Sequence, residues 1–236
     1  MSQFDNNWSF INEGDLTPEG FYFAGISAGL KNSNKKDLAL IFAPAGSICS
    51  GKFTQSLVRA SCVDICEQRI KRSSGLVRAI LINSGQANSC TGDLGTQHFL
   101  IATEKISELL GIKKEEVLMC STGVIGVPIE IDKLVKNLPK LVSELKVNSF
   151  QNAAEAILTT DLTLKKVFIE RSIEGRKIRI AGLAKGSGMI YPNMATMLAF
   201  LTCDAGVEKK EWDKMISIAV KKSFNAISVD GETSTN

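Results

Sequence analysis

Apolar and polar positions alternate along this chain with two different periods. "DLALIF" is apolar at every position after Asp37, which predicts a short β run over 38–42, ended by Pro44 and Gly46. "TQSLVRASCVDICEQRIKR" carries apolar residues at helical spacing and basic residues at its end, as a helix C-terminus prefers. "LVRAILINSG" predicts a strand from Leu76 to Ile82 that breaks at "NSG". "GTQHFLIATEKISELLG" reads as an amphipathic helix closed by Gly111. "EEVLMCSTGVIG" predicts a buried strand over 115–119, with a break at Gly123. "IDKLVKNLPKLVSEL" and "FQNAAEAILTTD" are helical in pattern, with Pro139 separating turns within the first.

The period then changes. "TLKKVFIERSIEGRKIRIAGLAKGSG" alternates and turns at "EGRK", the pattern of a β-hairpin running into a glycine-rich turn. "KEWDKMISIAVKKSF" predicts a helix and "NAISVDG" a closing strand. Strands and helices that alternate around one antiparallel hairpin imply an α/β or α+β layered sandwich. No linker and no internal repeat interrupts it, so the chain reads as one continuous folded unit.

Composition narrows the field. In 236 residues, 28 basic side chains stand against 25 acidic ones, and a net charge of +3 is too small to argue for nucleic acid or a membrane surface. The basic clusters from Lys31 and from Glu208 are mixed with acids or polar residues and read as solvated faces. No apolar run approaches the ~18 residues needed to span a bilayer. The polar amino terminus has no secretory pattern, so a cytoplasmic location is expected. Cys62 and Cys66 fall on one face of the expected helix, the spacing of buried thiols rather than of metal ligands. The single histidine, His98, lies inside a helical pattern, and no G-x-S-x-G elbow exists. Nucleotide-phosphate glycine motifs are also missing. These features favour chemistry that needs neither histidine nor metal.

"AKGSGMIYPNMATMLAFLTCDA", residues 184–205, places one hydroxyl, Thr196, in an apolar run behind a glycine-rich turn. A threonine becomes a nucleophile when a base takes its proton, and its own α-amine can be that base once the preceding peptide bond is broken. Such an amine has a pKa of about 7.7–8.0 and is partly neutral near physiological pH. Gly186, Gly188 and Pro192 are residue types that can hold the tight backbone this would require. A plain buried strand explains "MATMLAFL" as well. Thr122 and Gly123 in "CSTGVIG" offer a hydroxyl and a backbone N–H to a tetrahedral oxyanion, or simply end a strand. Lys185, a flexible cation, suits an amino acid carboxylate.

The segments "GFYFAGISAGLK", "DLALIFA", "INSGQANSCTGDLG", "CSTGVIG", "TTD", "AKGSGMIYPNMATMLAFLTCDA" and "SFNAISVDGETSTN" resemble, in order, the signature segments of the ornithine acetyltransferase family. These are self-cleaving glutamate N-acetyltransferases of arginine biosynthesis. The resemblance runs from about Gly20 to Asn236. It implies Thr196 as nucleophile, Ala195–Thr196 as the cleaved bond, and Thr122 with Gly123 as the oxyanion hole. Thr160 (or its neighbour Thr159), Lys185 and Thr196 would contact the substrate. Acetyl would pass from N2-acetylornithine to glutamate by a ping-pong route without a cofactor, and some members also accept acetyl-CoA. The resemblance further implies an α chain over 1–195, the start of a β chain over 196–236 that continues farther in the family, and an α2β2 assembly. Two other readings remain: a self-processing N-terminal-nucleophile amidohydrolase or aminopeptidase, and a non-enzymatic ligand-binding remnant.

Overall fold

The computed structural model describes residues 8–11, 17–191, 197–232 and 235–236. The elements in chain order are β1 (Ser9–Phe10), β2 (Tyr22–Ile26), β3 (Leu38–Phe42), α1 (Ser61–Arg72), β4 (Ala79–Gln86), α2 (Gly92–Leu110), β5 (Val117–Val124), α3 (Ile131–Ser143), α4 (Phe150–Ala156), β6 (Lys165–Ile173), β7 (Arg176–Lys185), β8 (Leu198–Cys203) and α5 (Lys209–Lys222). They form two four-stranded sheets, ordered β2-β3-β4-β5 and β1-β6-β7-β8. Every pairing is antiparallel except β4 with β5, which α2 connects as a crossover.

The first sheet is buried on both faces, which is why its strands read as unbroken apolar runs. Along β3, Leu38 and Leu40 face the helices α1, α2 and α3, while Ala39 and Ile41 face the opposite way. That opposite face meets α4 and the second sheet, through Phe23, Ile82, Phe150, Phe168 and Leu183. Phe150 touches Phe23 and Phe168 at ring-centroid separations of 4.9 and 4.7 Å, so one helix side chain ties the two sheets together.

The structure follows the sequence reading for β3, for Gly111 in a left-handed C-cap after α2, and for the β6–β7 hairpin with its turn at Glu174 and Gly175. Cys62 and Cys66 are buried on α1, and all six cysteines are free thiols. Several boundaries differ. Residues 54–60 do not join α1, because Leu57 and Val58 point outward instead of onto a helix face. The strand expected from Leu76 to Ile82 instead runs from Ala79 to Gln86, straight through "NSG". Its parallel neighbour keeps pairing as far as Gly85 with Gly123 and Gln86 with Val124. The donor ends of the polar side chains there are satisfied internally: Asn83 Nδ2 donates to the Gln86 carbonyl at 2.9 Å, and Gln86 Nε2 to that of Leu30 at 2.8 Å. For the same reason β5 passes through Gly123 rather than breaking at it. Pro139 sits inside α3 without dividing it, and α4 stops at Ala156. "NAISVDG" forms no strand; Val229 and Asp230 make isolated bridges to Ile190. Strand β2, which the periodicity alone did not mark, is an inner-core element. Among the described residues no helix is long and apolar enough to cross a membrane.

Candidate active site

The carboxyl ends of the parallel pair β4 and β5 converge on the end of β7, which belongs to the other sheet. Thr122 lies near the end of β5, and Lys185 is the last residue of β7. Both are buried, and Lys185 Nζ donates a hydrogen bond to Thr122 Oγ1 at 2.9 Å. The stem of this lysine is packed and its head is hydrogen-bonded. Burial pushes the Lys185 ammonium below the ordinary lysine value; the Asp161 charge opposes that shift and Lys165 adds to it.

Gly123 follows Thr122 with φ +132°, and a Cβ at this position would fall 2.3 Å from the Gly85 carbonyl carbon and oxygen. The two strand ends approach too closely for any side chain, so glycine is required by geometry. Gly123 is exposed, which leaves bare backbone beside the Thr122 hydroxyl.

A short loop fastens the far side. The Asp161 carboxylate is fully covered and accepts the Gly186 N–H at 2.8 Å and Lys165 Nζ at 2.5 Å. Burial would raise this carboxyl, but the Lys165 ammonium and the Gly186 N–H outweigh it and hold it below the usual carboxylate value. Thr160 Oγ1 and Ser187 Oγ are 2.6 Å apart. Thr159 is half-buried in the same loop. Lys31 Nζ reaches the Leu158 carbonyl at 2.8 Å and that of Lys36 at 2.9 Å. Lys36 in turn pairs with Glu155. The basic cluster around Lys31 is therefore partly structural and not just a solvated face.

Beyond Ser187, the Met189 N–H donates to Asp230 Oδ2 at 2.7 Å, and Ile190 exchanges backbone hydrogen bonds with Val229. Pro192, Ala195 and Thr196, the last two the expected scissile pair, lie outside the described residues. The described chain resumes at Met197, and Leu198 pairs with Lys185 in the β7–β8 register.

Of the residues expected at the site, Thr122, Gly123, Lys185 and Thr160 therefore gather around one seam. Sequence reasoning missed Lys31, Asp161, Ser187, Asp230 and Asn236. Asn236 Nδ2 donates to the carbonyls of Ser121 and Ala87, the first of these beside Thr122. Asp161 and Ser187 were within quoted motifs, but only contact reveals that they bond across them. His98 is buried on α2 and makes none of the site's hydrogen bonds. Among the described residues no cluster of three or more His, Cys, Asp or Glu could hold a metal ion. A cavity of about 530 Å³ opens between the sheets and α5, walled by Ile80, Leu118, Phe200, Trp212 and Ile216. It touches Ser121 and Asn236 but neither Thr122 nor Lys185, so it is an apolar recess beside the chemistry.

The sequence profile of the ArgJ family matches residues 22–236. The chain belongs to the ArgJ family. A relative described as the arginine biosynthesis bifunctional protein ArgJ of Prochlorococcus marinus subsp. pastoris is 77% identical over 226 residues, covering 96% of this chain and 56% of that protein. The chain thus spans about half the length of the curated ArgJ relatives it matches. Among solved structures, the ornithine acetyltransferase of Mycobacterium tuberculosis complexed with ornithine superposes with a TM-score of 0.72 at 32% identity, over 83% of this chain and 100% of that one. The ArgJ protein of Bacillus halodurans does so with 0.74 at 29%, over 81% of this chain and 98% of that one. The mixed α/β sandwich is the fold of this family.

Proposed function

We propose that the full-length protein is a glutamate N-acetyltransferase that cuts itself between Ala195 and Thr196 and then carries acetyl on Thr196, from N2-acetylornithine to glutamate. The observation that carries this reading is the meeting of Thr122 and Lys185 across two sheets, at the strand position where Lys185 pairs with Leu198. Leu198 is two residues past Thr196. A donor pair for an oxyanion and a cation thus meet at the strand that begins two residues after the candidate nucleophile in sequence. The named activity and bound ornithine of the Mycobacterium relative support the substrate. Self-cleavage is supported by length: about four-fifths of this chain covers each solved relative almost end to end, whereas the curated relative is covered to little over half.

In this reading the Thr196 hydroxyl attacks the Ala195 carbonyl, and water hydrolyses the resulting ester to free the Thr196 α-amine. That amine then accepts the hydroxyl proton as Thr196 Oγ attacks the acetyl carbon. The Thr122 hydroxyl and Gly123 N–H receive the charge that develops on the acetyl oxygen; losing one such donor costs roughly 3–4 kcal/mol of barrier. The C–N bond breaks, ornithine leaves with the proton, and the glutamate amine takes the acetyl group from the ester. Lys185 and Thr160, with Thr159 beside it, lie where a substrate's polar groups would be held. An oxygen ester needs neither metal nor tightly bound cofactor, and acetyl-CoA would serve as an alternative donor. Division into chains 1–195 and 196 onward, an α2β2 assembly and a cytoplasmic location complete the proposal.

The test is intact mass and amino-terminal sequencing of the full-length protein beside its Thr196→Ala variant. Wild type should yield a chain beginning at Thr196, release one equivalent of ornithine per site without glutamate and turn over only with glutamate present, while Thr196→Ala stays whole and inactive. A wild-type protein that remains whole yet transfers acetyl would refute the mechanism. Glutamate-independent acetate release would replace it with an amidohydrolase.

A further inference from the structure

A lysine ammonium only donates hydrogen bonds, whereas a hydroxyl has one proton to give and lone pairs to accept with. Because Lys185 Nζ donates to Thr122 Oγ1, the single Thr122 proton cannot lie along that line and must be directed elsewhere. Both groups are buried, so the ammonium polarises the O–H bond with little screening by water. Buried charges are normally paired with an opposite charge. Among the described residues, however, no carboxylate lies within ion-pair distance of Nζ. Asp161, which attracts Lys185 through space, spends its carboxylate on Gly186 and Lys165 instead. Among the described residues, the hydrogen bond of the Lys185 ammonium goes to a neutral hydroxyl.

We propose that Lys185 is a positioning residue of the oxyanion hole, acting through Thr122 to aim and strengthen that hydroxyl as a donor, and is more than an anchor for the substrate carboxylate. The proposal rests on the acyl-transfer reading above. It separates two duties of one cation that any carboxylate-bearing substrate would confound.

The experiment uses the full-length protein and two acetyl donors: N2-acetylornithine, and p-nitrophenyl acetate, which has no carboxylate to anchor. With the ester, the Thr196 Oγ–acetyl bond forms, the aryl C–O bond breaks, p-nitrophenolate leaves, and the Thr196 α-amine takes the hydroxyl proton. Lys185→Met should slow the ester's p-nitrophenolate burst by about 10- to 100-fold, somewhat less than the roughly 10²–10³ expected for outright loss of a hole donor. Lys185→Arg, which keeps the charge, should recover part of that rate, and it carries the comparison if the Met variant stays uncut. In a Thr122→Val background either Lys185 substitution should add no further loss with the ester. The proposal is overturned if Lys185 variants react with the ester at the wild-type rate while KM for N2-acetylornithine rises. It is also overturned if the two losses simply multiply in the double variants. A cleaved wild-type protein acetylated by neither donor removes the acyl-transfer reading itself, and this inference with it.

Discussion

In the sheet β2-β3-β4-β5, Leu38, Leu40, Leu81 and Ile82 keep no exposed surface, whereas in β1-β6-β7-β8 the edge residue Leu201 is 44% exposed. The first sheet is sandwiched between three helices and the other sheet. The second has one face on α4 and the first sheet, and its outer strand shares a cavity lining with α5, which has no fully buried residue. The difference separates two tasks. The doubly covered sheet holds Thr122 and Gly123 in a frame with little freedom to repack. The other supplies Lys185, at the buried end of β7, and the strand that follows Thr196 in sequence. The site lies at the seam between them, so its geometry depends on the few side chains that hold the sheets in register.

Phe150 is the severest test of that contrast. Phe150→Ala removes the ring between Phe23 and Phe168 and should cost about 3–5 kcal/mol, read as a lower denaturation midpoint in urea. A loss below about 1 kcal/mol would mean that the sheets are held together elsewhere. Asp161 sharpens the contrast from the site's side. Its carboxyl lies below the ordinary aspartate value in the folded state. Its stabilising contribution is therefore complete above the unfolded value of about 3.9 and is lost as pH falls through the lower folded value. Asp161→Asn should lower Tm at neutral pH and flatten its decline between about pH 5 and 2. An unchanged acid profile would show that the Gly186 and Lys165 contacts contribute nothing. The smallest effect is expected at Leu201: Leu201→Ala on the half-exposed edge should cost less than about 1.5 kcal/mol, because only part of the side chain leaves a covered environment. A loss as large as that of Phe150→Ala would erase the distinction between the sheets.

Much of the fold was legible in the residue pattern. Strand β3 and the β6–β7 hairpin declared themselves because two-sided burial and strict alternation leave clear periods. The errors cluster where polar residues are buried. Asn83, Ser84 and Gly85 look like a turn when only neighbours in sequence are considered, yet the parallel partner β5 supplies the hydrogen bonds that keep them in a strand. Leu57 and Val58 failed in the opposite sense, as apolar residues left outside. At the site, the resemblance named Thr122, Gly123, Thr160 and Lys185, and the fold brings them to one seam. Asp161, Ser187 and Asp230 carried no signal of their own, since a carboxylate or hydroxyl that accepts a distant N–H has no sequence period.

The amino-acid sequence by itself determined most element types, the main apolar faces and the family, because periodicity and motif order are local properties of the chain. Only the tertiary structure decided that the Lys185 ammonium ends on the Thr122 hydroxyl, 63 residues away in sequence and in another sheet. The physical reason is that a long side chain can reach many partners. Which one it meets is fixed by how two sheets pack around Phe150.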